Sequence, residues 1–165
     1  MSEAFTLAFD APLGDLNTLR VNATASCLAT AADPEVLPAI LGHERVRDFP
    51  VLVLGEGSNV LFAADFQGLV LRPAWRSVRI SEDDGRTAIV RAAAGYEWDA
   101  LVDWTLAQGL PGLENLALIP CLVGAAPIQN IGAYGVEASE FITTVEAWDR
   151  GRGGFVRLDA AGCGF

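Results

Sequence analysis

The chain contains no lysine, so all eleven of its cationic side chains are arginines. This absence excludes a phosphate-binding P-loop lysine, a Schiff-base lysine and a lysine general base. The acidic residues number 21 and give a net charge of −10, which argues against a nucleic-acid backbone or an anionic membrane surface as a partner. We therefore expect no nucleic-acid partner and no membrane partner.

Cysteine and histidine are also scarce. Cys27, Cys121 and Cys163 lie far apart in the sequence, which indicates reduced thiols in the cytosol rather than a disulfide framework. The single histidine, His43, cannot form a His-based zinc site, and we expect no metal centre. His43 follows Gly42 at the end of a predicted helix, where a partial negative charge favours a cation, so a structural role is the favoured interpretation.

Long apolar runs are missing as well. None reaches the ~20 residues of a membrane-spanning helix, and the N-terminal sequence MSEAFTLAFD lacks the basic region of a secretory signal. We therefore expect a cytosolic protein. Its 165 residues, 52% of them hydrophobic, suffice for about one domain whose core needs neither a disulfide nor a metal.

The hydrophobic periodicity predicts a β-rich α+β domain that begins with an irregular leader over residues 1–20. Asp33 is predicted to cap a helix that ends at Gly42. A second helix is predicted over residues 97–108, with Leu106 on its buried face. Strands are predicted over residues 23–31, 51–54, 60–62, 69–71, 78–80, 87–92, 143–149 and 155–158.

The segment GEGSN, from Gly55 to Asn59, follows the apolar run Val51–Leu54, which is typical of a strand buried on both faces. Successive backbone N–H groups in such a turn can form an anion-binding nest, and Ser58 and Asn59 can add side-chain donors. It is not the dinucleotide-binding fingerprint, because the third glycine and a following amphipathic helix are absent. A tight turn needs the same residues, so both interpretations remain open.

The stretch from Leu118 to Gly135, LIPCLVGAAPIQNIGAYG, contains no charged residue. Glycine permits the close approach of a ligand, although a buried turn between elements has a similar composition. The portion Gly124–Ile128 can start a short helix whose N-terminus faces a phosphate. Gln129, Asn130 and Tyr134 would then orient the ligand in an otherwise apolar pocket. Together with GEGSN, this predicts a nucleotide or flavin phosphate bound mainly by backbone amides.

The sequence offers no nucleophile–base pair and no carboxylate dyad with meaningful spacing. Glu56, Glu114 and Glu137 are each expected to face solvent or to cap an element. A bound cofactor would therefore have to supply the chemistry.

Five segments carry a resemblance to a known family. They are Asn17-Thr18, GEGSNVLF (Gly55 to Phe62), AGYEWDALVDWTL (Ala94 to Leu106), GLPGLENLALIP (Gly109 to Pro120) and VGAAPIQNIGAYGVE (Val123 to Glu137). In this order they closely resemble the UDP-N-acetylenolpyruvoylglucosamine reductases, the UDP-N-acetylmuramate dehydrogenases of bacterial peptidoglycan synthesis, in their proteobacterial form. The likeness covers nearly the whole chain from Asn17 to Phe165.

The resemblance implies an α+β fold of the vanillyl-alcohol-oxidase or p-cresol-methylhydroxylase type, in which two small α+β subdomains bind FAD. It also implies one FAD-binding domain over about residues 17–165, with the C-terminal substrate domain absent. The implied reaction is the reduction of UDP-GlcNAc-enolpyruvate to UDP-N-acetylmuramate by NADPH through FAD. The implied partners are therefore FAD and a UDP-sugar substrate, in the cytoplasm.

Carried over position by position, the resemblance implies that the GEGSN segment cradles the FAD pyrophosphate and that the uncharged stretch lines the flavin and ribityl. Tyr134 is also expected to face the sugar-nucleotide substrate. The implied cofactor-binding residues are Gly55, Glu56, Gly57, Ser58, Asn59, Val60, Ile119, Pro120, Cys121, Val123, Gly124, Ala125, Ala126, Gln129, Asn130, Ile131, Gly132, Ala133, Tyr134 and Gly135.

One departure from the family pattern falls inside the uncharged stretch. After Leu-Ile-Pro the family has glycine and then a small or polar residue, whereas this chain has Cys121 and Leu122. If that glycine has a positive φ, a side chain is strained there. We therefore expect Cys121 to weaken FAD binding and Cys121→Gly to strengthen it.

A second departure concerns the catalytic residues. The family continues with Tyr-Arg-Asp-Ser after the segment that Cys163 and Phe165 resemble, so its catalytic Arg, Ser and Glu are all expected beyond Phe165. No catalytic residue is therefore assigned in this chain. Three interpretations remain open: part of a flavin-dependent reductase, a catalytically inactive flavin- or nucleotide-binding module, and a truncated product without a stable fold.

Overall fold

The computed structural model describes residues 5–165, so the first four residues of the predicted leader lie outside the described chain. Two compact units are present, one extending to Arg76 and the other running from Ser77 to Phe165. Strands and helices occur in both units, which confirms the predicted α+β class.

The first unit is built on a four-stranded mixed sheet in the order β1-β2-β4-β3. β1 is antiparallel to β2, whereas β2 and β3 are each parallel to β4. The buried side chains of Leu13, Leu54 and Val70 contribute to its core. The strands are β1 (Phe5–Pro12), β2 (Thr24–Ala31), β3 (Val51–Val53) and β4 (Phe66–Pro73).

The helical part of this unit follows β2. A 3₁₀ turn over Pro34–Val36 leads into helix α1, Leu37–Leu41. The Asp33 carboxylate caps this turn, because it accepts the Glu35 N–H at 2.8 Å. The predicted cap is therefore confirmed.

The irregular leader predicted for residues 1–20 is wrong over residues 5–12, which form β1. In this strand Phe5, Leu7 and Phe9 are partly buried and Ala11 is fully buried, while the residues between them are exposed. Apolar residues at every second position are the period expected of a strand with one covered face. This alternation was present in the sequence but was missed.

The next two strand predictions also need correction. Val51–Val53 does form a strand, but Val53 is 58% exposed, so the predicted burial on both faces is wrong. The reason is topological, because β3 is at the edge of the four-stranded sheet. The strand predicted at residues 60–62 is wrong as well, since Val60–Phe62 lies in the connection between β3 and β4, where Phe62 is buried.

The second unit contains three antiparallel two-stranded ladders. The predicted strands near residues 78–92 and 143–158 are confirmed. The elements are β5 (Val78–Asp83), β6 (Ala88–Ala92), α2 (Trp98–Ala107), α3 (Ala126–Gln129), β7 (Gly132–Ala133), β8 (Val136–Glu137), β9 (Thr144–Asp149), β10 (Gly154–Asp159) and α4 (Ala160–Cys163).

The core of this unit forms around α2. Trp98 is 4% exposed, and its indole N–H donates to the Leu116 carbonyl at 2.9 Å. The predicted helix is confirmed, but Leu106 is 46% exposed while Thr105 is buried. Residue 105 continues the i, i+3, i+4, i+7 stripe that begins at Trp98, whereas Leu106 lies one step beyond it.

Within residues 5–165 no helix combines the length and the apolar character needed to cross a membrane. All three cysteines are free thiols, as predicted. Burial raises the pKa of the Cys27 thiol, and the positive charge of Arg45 partly offsets this rise. The described residues contain no cluster of three or more His, Cys, Asp or Glu side chains that could hold a metal ion.

Candidate functional site

The GEGSN segment leaves β3 and turns at Gly57, which is buried and has a φ of +67°. A Cβ atom at this position would lie 2.2 Å from the Leu16 carbonyl oxygen and 2.8 Å from the Asn17 Cα. Neither distance is possible between non-bonded atoms, and the positive φ also disfavours a side chain. Glycine is therefore required at position 57 by packing inside the first unit.

The loop that faces Gly57 connects β1 to β2 and is organised by Asn17, which is 3% exposed. The Asn17 Nδ2 donates to the carbonyls of Leu13 at 2.8 Å and Val21 at 3.1 Å, and its Oδ1 accepts the Val21 N–H at 3.0 Å. The sequence had identified Asn17 only as part of a family motif. Its structural role was missed because a loop asparagine alone does not reveal which backbone groups it binds.

The Gly57 carbonyl is bound by Thr18, in the loop that Asn17 organises. Thr18 donates its backbone N–H to this oxygen at 3.2 Å, and its hydroxyl lies 3.4 Å from the same atom. A carbonyl held this way is turned towards the protein. The turn is therefore hydrogen-bonded to the loop between β1 and β2, and its role as an anion-binding nest stays a prediction.

In the second unit the segment from Cys121 to Gly124 runs alongside residues 94–98. Trp98 donates its N–H to the Cys121 carbonyl at 3.0 Å, and Val123 donates its own to the Tyr96 carbonyl at 2.9 Å. Gly124 has a structural reason to be glycine, because its Cβ would lie 2.7 Å from the Ala94 Cβ. This part of the uncharged stretch is thus held by the chain itself.

These hydrogen bonds bear on the predicted phosphate contact at Gly124–Ile128. The N–H groups of Val123, Gly124 and Ala125 donate to the carbonyls of Tyr96, Ala94 and Leu122 respectively. The stretch continues as a 3₁₀ turn over Val123–Ala125 and the single turn of α3. Three backbone donors at the start of this helical segment are therefore occupied within the protein and are not open to a phosphate.

Leu118 has an unusual conformation that the sequence did not predict. Its φ is +62° and its side chain is 83% exposed, an unusual combination for a branched apolar residue. The Asp99 carboxylate on α2 accepts the Leu118 N–H at 2.7 Å. A hydrogen bond to the first turn of α2 therefore holds Leu118 in its left-handed conformation.

The end of the uncharged stretch forms the short β7–β8 hairpin. Tyr134 and Gly135 are its two turn residues, with φ values of +54° and +80°. Positive φ at both positions is the geometry of the type I′ turn that favours two-residue hairpins. The turn leaves Tyr134 91% exposed, so the ring projects from the unit and can meet a ligand.

Both the nitrogen and the oxygen of the Asn130 side-chain amide form hydrogen bonds within the protein. Its Nδ2 donates to a Glu137 carboxylate oxygen at 2.7 Å, and its Oδ1 accepts the Ser139 N–H at 3.0 Å. Glu137 also takes part in a reciprocal capping box with Glu140, as predicted for a capping carboxylate. Asn130 thus fixes the base of the hairpin that carries Tyr134.

The prediction made for Cys121 rested on a backbone conformation that the structure does not show. Among residues 5–165 the non-glycine residues with positive φ are Asp10, Arg20, Leu118, Asn130 and Tyr134. Cys121 is not one of them, and its side chain is 5% exposed within the core around Trp98. The argument that a positive φ strains Cys121 is therefore wrong. The thiol instead packs into the core.

The predicted site residues fall into two groups. The residues of Gly55–Val60 lie together in the connection after β3 in the first unit. Those from Ile119 to Gly135 lie in the second unit, where the stretch that contains them exposes Ile128 to 81% and Tyr134 to 91%. Glu114, predicted to be structural, accepts the Gly112 N–H, which holds the pKa of its carboxyl below the usual value.

The two groups thus belong to different units, one to a glycine-containing turn and the other to a stretch with an exposed tyrosine. A family profile described as FAD binding domain matches residues 25–159. The chain belongs to the FAD binding domain family. Membership confirms FAD as the predicted cofactor.

Curated relatives share more than half of the aligned residues. A UDP-N-acetylenolpyruvoylglucosamine reductase of Xylella fastidiosa (strain M12) is 53% identical over 156 residues, which is 94% of this chain and 44% of the relative. A protein of the same name from Xanthomonas oryzae pv. oryzae (strain PXO99A) is 55% identical over 157 residues, 95% of this chain and 45% of the relative. The chain thus spans less than half the length of these relatives.

A solved structure shows the same likeness in three dimensions. The UDP-N-acetylenolpyruvylglucosamine reductase (MurB) of Thermus caldophilus matches with a TM-score of 0.70 and 28% identity, over 95% of this chain and 53% of that chain. The fold expected from the sequence resemblance is thereby confirmed.

Proposed function

We propose that this chain is the FAD-binding part of an enzyme that reduces UDP-GlcNAc-enolpyruvate to UDP-N-acetylmuramate with NADPH. The observation that carries the proposal is 53–56% identity, over 93–95% of the chain, to proteins named UDP-N-acetylenolpyruvoylglucosamine reductase. Such an enzyme acts in the cytoplasm, in bacterial peptidoglycan synthesis.

The FAD supplies a carrier for the hydride on its way from NADPH to the enolpyruvyl double bond. The residues of Gly55–Asn59 receive the pyrophosphate, and the apolar stretch Ile119–Gly135 lines the flavin and ribityl. Tyr134, at the tip of the β7–β8 hairpin, faces the sugar nucleotide. None of these residues is assigned a proton-transfer role.

The charge distribution supports this division of labour. The chain carries a net charge of −10 and no lysine, and several of its arginines are already paired with carboxylates, as Arg20 is with Asp15 and Arg91 with Glu146. Anion binding by oriented backbone N–H groups needs no cationic side chain. A turn such as the one at Gly57 could therefore receive the pyrophosphate without a lysine.

A chimeric enzyme tests the proposal. The 165-residue chain replaces the 157 aligned residues of the Xanthomonas oryzae relative, and the purified chimera is assayed for NADPH oxidation that depends on UDP-GlcNAc-enolpyruvate. The proposal predicts a yellow, FAD-containing chimera with substrate-dependent turnover. A folded chimera that binds FAD without turnover would instead support an inactive flavin-binding module, and a folded, flavin-free chimera would overturn both.

A further inference from the structure

We propose that Asn17 is a positioning residue for the pyrophosphate of FAD, acting through the backbone of the loop on which the Gly57 turn rests. The inference rests on the proposed FAD-binding role of Gly55–Asn59 and assigns a function to a residue outside that segment. Asn17 acts by setting the position of Gly57, so it need not touch the cofactor itself.

The first support is the burial of the Asn17 amide. Within the described residues it is one of two fully buried polar side chains, the other being Thr105. The Thr105 hydroxyl donates to Val102 in its own helix, which is ordinary local bonding. Asn17 instead binds Leu13 on one side and Val21 on the other. A buried amide with three hydrogen bonds defines a single loop conformation more strictly than apolar packing would.

The second support is the fit between this loop and the Gly57 turn. An added methyl group at position 57 would overlap the Leu16 carbonyl oxygen, at 2.2 Å, and the Asn17 Cα, at 2.8 Å. The two backbones are therefore in direct contact. A change in the path of residues 16–18 must move the turn, because a well-packed contact has no slack to absorb it.

The third support is the hydrogen bond that joins this loop to the Gly57 turn. Thr18 binds the Gly57 carbonyl through its N–H at 3.2 Å and lies 3.4 Å from it through its hydroxyl. The loop that Asn17 organises is therefore joined to the Gly57 turn by a backbone hydrogen bond as well as by close packing. A shift of this loop would move the turn that is proposed to receive the pyrophosphate.

The test compares ligands with and without the pyrophosphate. FAD and riboflavin are titrated separately into the 165-residue chain, and binding is followed by flavin fluorescence. Asn17→Asp keeps the size and the Oδ1 acceptor but replaces the two N–H donors with an oxygen facing two carbonyls. The dissociation constant for FAD is expected to rise about tenfold or more, while that for riboflavin changes less than about twofold.

A control variant separates an effect on the position of the Gly57 turn from a general loss of stability. Asp33→Ala removes the cap of the 3₁₀ turn at Pro34–Val36 in the same unit, so it lowers stability without touching the Gly57 turn. It is expected to leave both dissociation constants unchanged while lowering the unfolding temperature. An equal loss of FAD affinity in Asp33→Ala and Asn17→Asp would contradict the positioning role.

A milder variant keeps the inference testable should Asn17→Asp not fold. Thr18→Val removes the hydroxyl but keeps the N–H that binds Gly57, and it is expected to weaken FAD binding about twofold to fivefold without affecting riboflavin. An unchanged dissociation constant for FAD in this variant, or in folded Asn17→Asp, would overturn the inference about Asn17 but not the proposed function. Failure of the unaltered chain to bind FAD would overturn the proposed function itself.

Discussion

At the scale of single residues, the GEGSN turn depends on the absence of one methyl group. Gly57 has both a positive φ and a backbone neighbour where its Cβ would be. Either condition disfavours a side chain, and together they make position 57 far less tolerant than a glycine in an open turn. Gly85 provides the comparison, because its φ of +80° is similar while no atom lies within 4 Å of its Cβ position.

This difference yields a measurable prediction. Gly57→Ala should lower the free energy of unfolding by about 2–4 kcal/mol, since the strain of the left-handed conformation adds to the overlap with Leu16. Gly85→Ala should lower it by about 1–2 kcal/mol, because only the strain remains. Chemical denaturation of the two variants checks the prediction. Equal losses would show that the Leu16 contact relaxes easily.

Cys121 illustrates a residue whose role the sequence suggested incorrectly. The family pattern placed a glycine there, and a ligand contact was a reasonable explanation for it. The structure shows a buried side chain in the core around Trp98 and a left-handed residue three positions earlier, at Leu118. Which residue of a loop becomes left-handed depends on distant partners, here the Asp99 carboxylate, and local sequence does not contain that information.

The corrected role of Cys121 reverses the expectation for its substitution. Cys121→Gly should leave the FAD dissociation constant unchanged and lower the free energy of unfolding by about 1–3 kcal/mol, because it removes a buried side chain and adds backbone freedom. Cys121→Ala, which keeps a Cβ, should lower it less. Flavin titration and denaturation measure the two effects. Tighter FAD binding by Cys121→Gly would restore the original interpretation.

At the scale of elements, the β7–β8 hairpin shows how a two-residue ladder can hold an exposed aromatic ring. Two residues on each strand are too few for an independent hairpin. The base of this one is fixed by the Asn130 amide, the Glu137 carboxylate and the Ser139 N–H. Tyr134 can therefore project from the unit on a short turn whose position is determined by side-chain hydrogen bonds.

Substitution at Asn130 tests this account. Asn130→Asp tolerates the left-handed backbone but places a second carboxylate beside Glu137 in place of an N–H donor, so the local stability of the hairpin should fall by about 1–2 kcal/mol. Faster hydrogen exchange of the Ala138 N–H, which binds the Ile131 carbonyl at 2.8 Å, reports the change.

The matching control is Ser139→Ala. It removes a hydroxyl that lies 3.4 Å from the Glu137 carboxylate but keeps the backbone N–H that binds Asn130. Exchange at Ala138 should stay close to that of the unaltered chain. Similar protection in Asn130→Asp would mean that the backbone ladder, rather than the asparagine, holds the hairpin.

At the scale of the whole molecule, the sequence predicted the α+β class, the long helix and most of the strands, because these depend on local periodicity and capping. Leu106 and Val53 were misplaced, since the extent of burial depends on which face of a helix and which edge of a sheet is covered. The candidate site segments were found from glycine and the absence of charge. Asn17 and Leu118 were missed because their roles depend on contacts that only the fold creates.

The central claim is that this chain binds FAD and does so through the pyrophosphate-bearing part of the cofactor. The most direct measurement is a fluorescence titration of the purified 165-residue chain with FAD, in parallel with riboflavin. The account predicts saturable binding of one FAD per chain, with an affinity at least about tenfold higher than that for riboflavin. Equal affinity for the two flavins, or no binding of FAD by the folded chain, would contradict it.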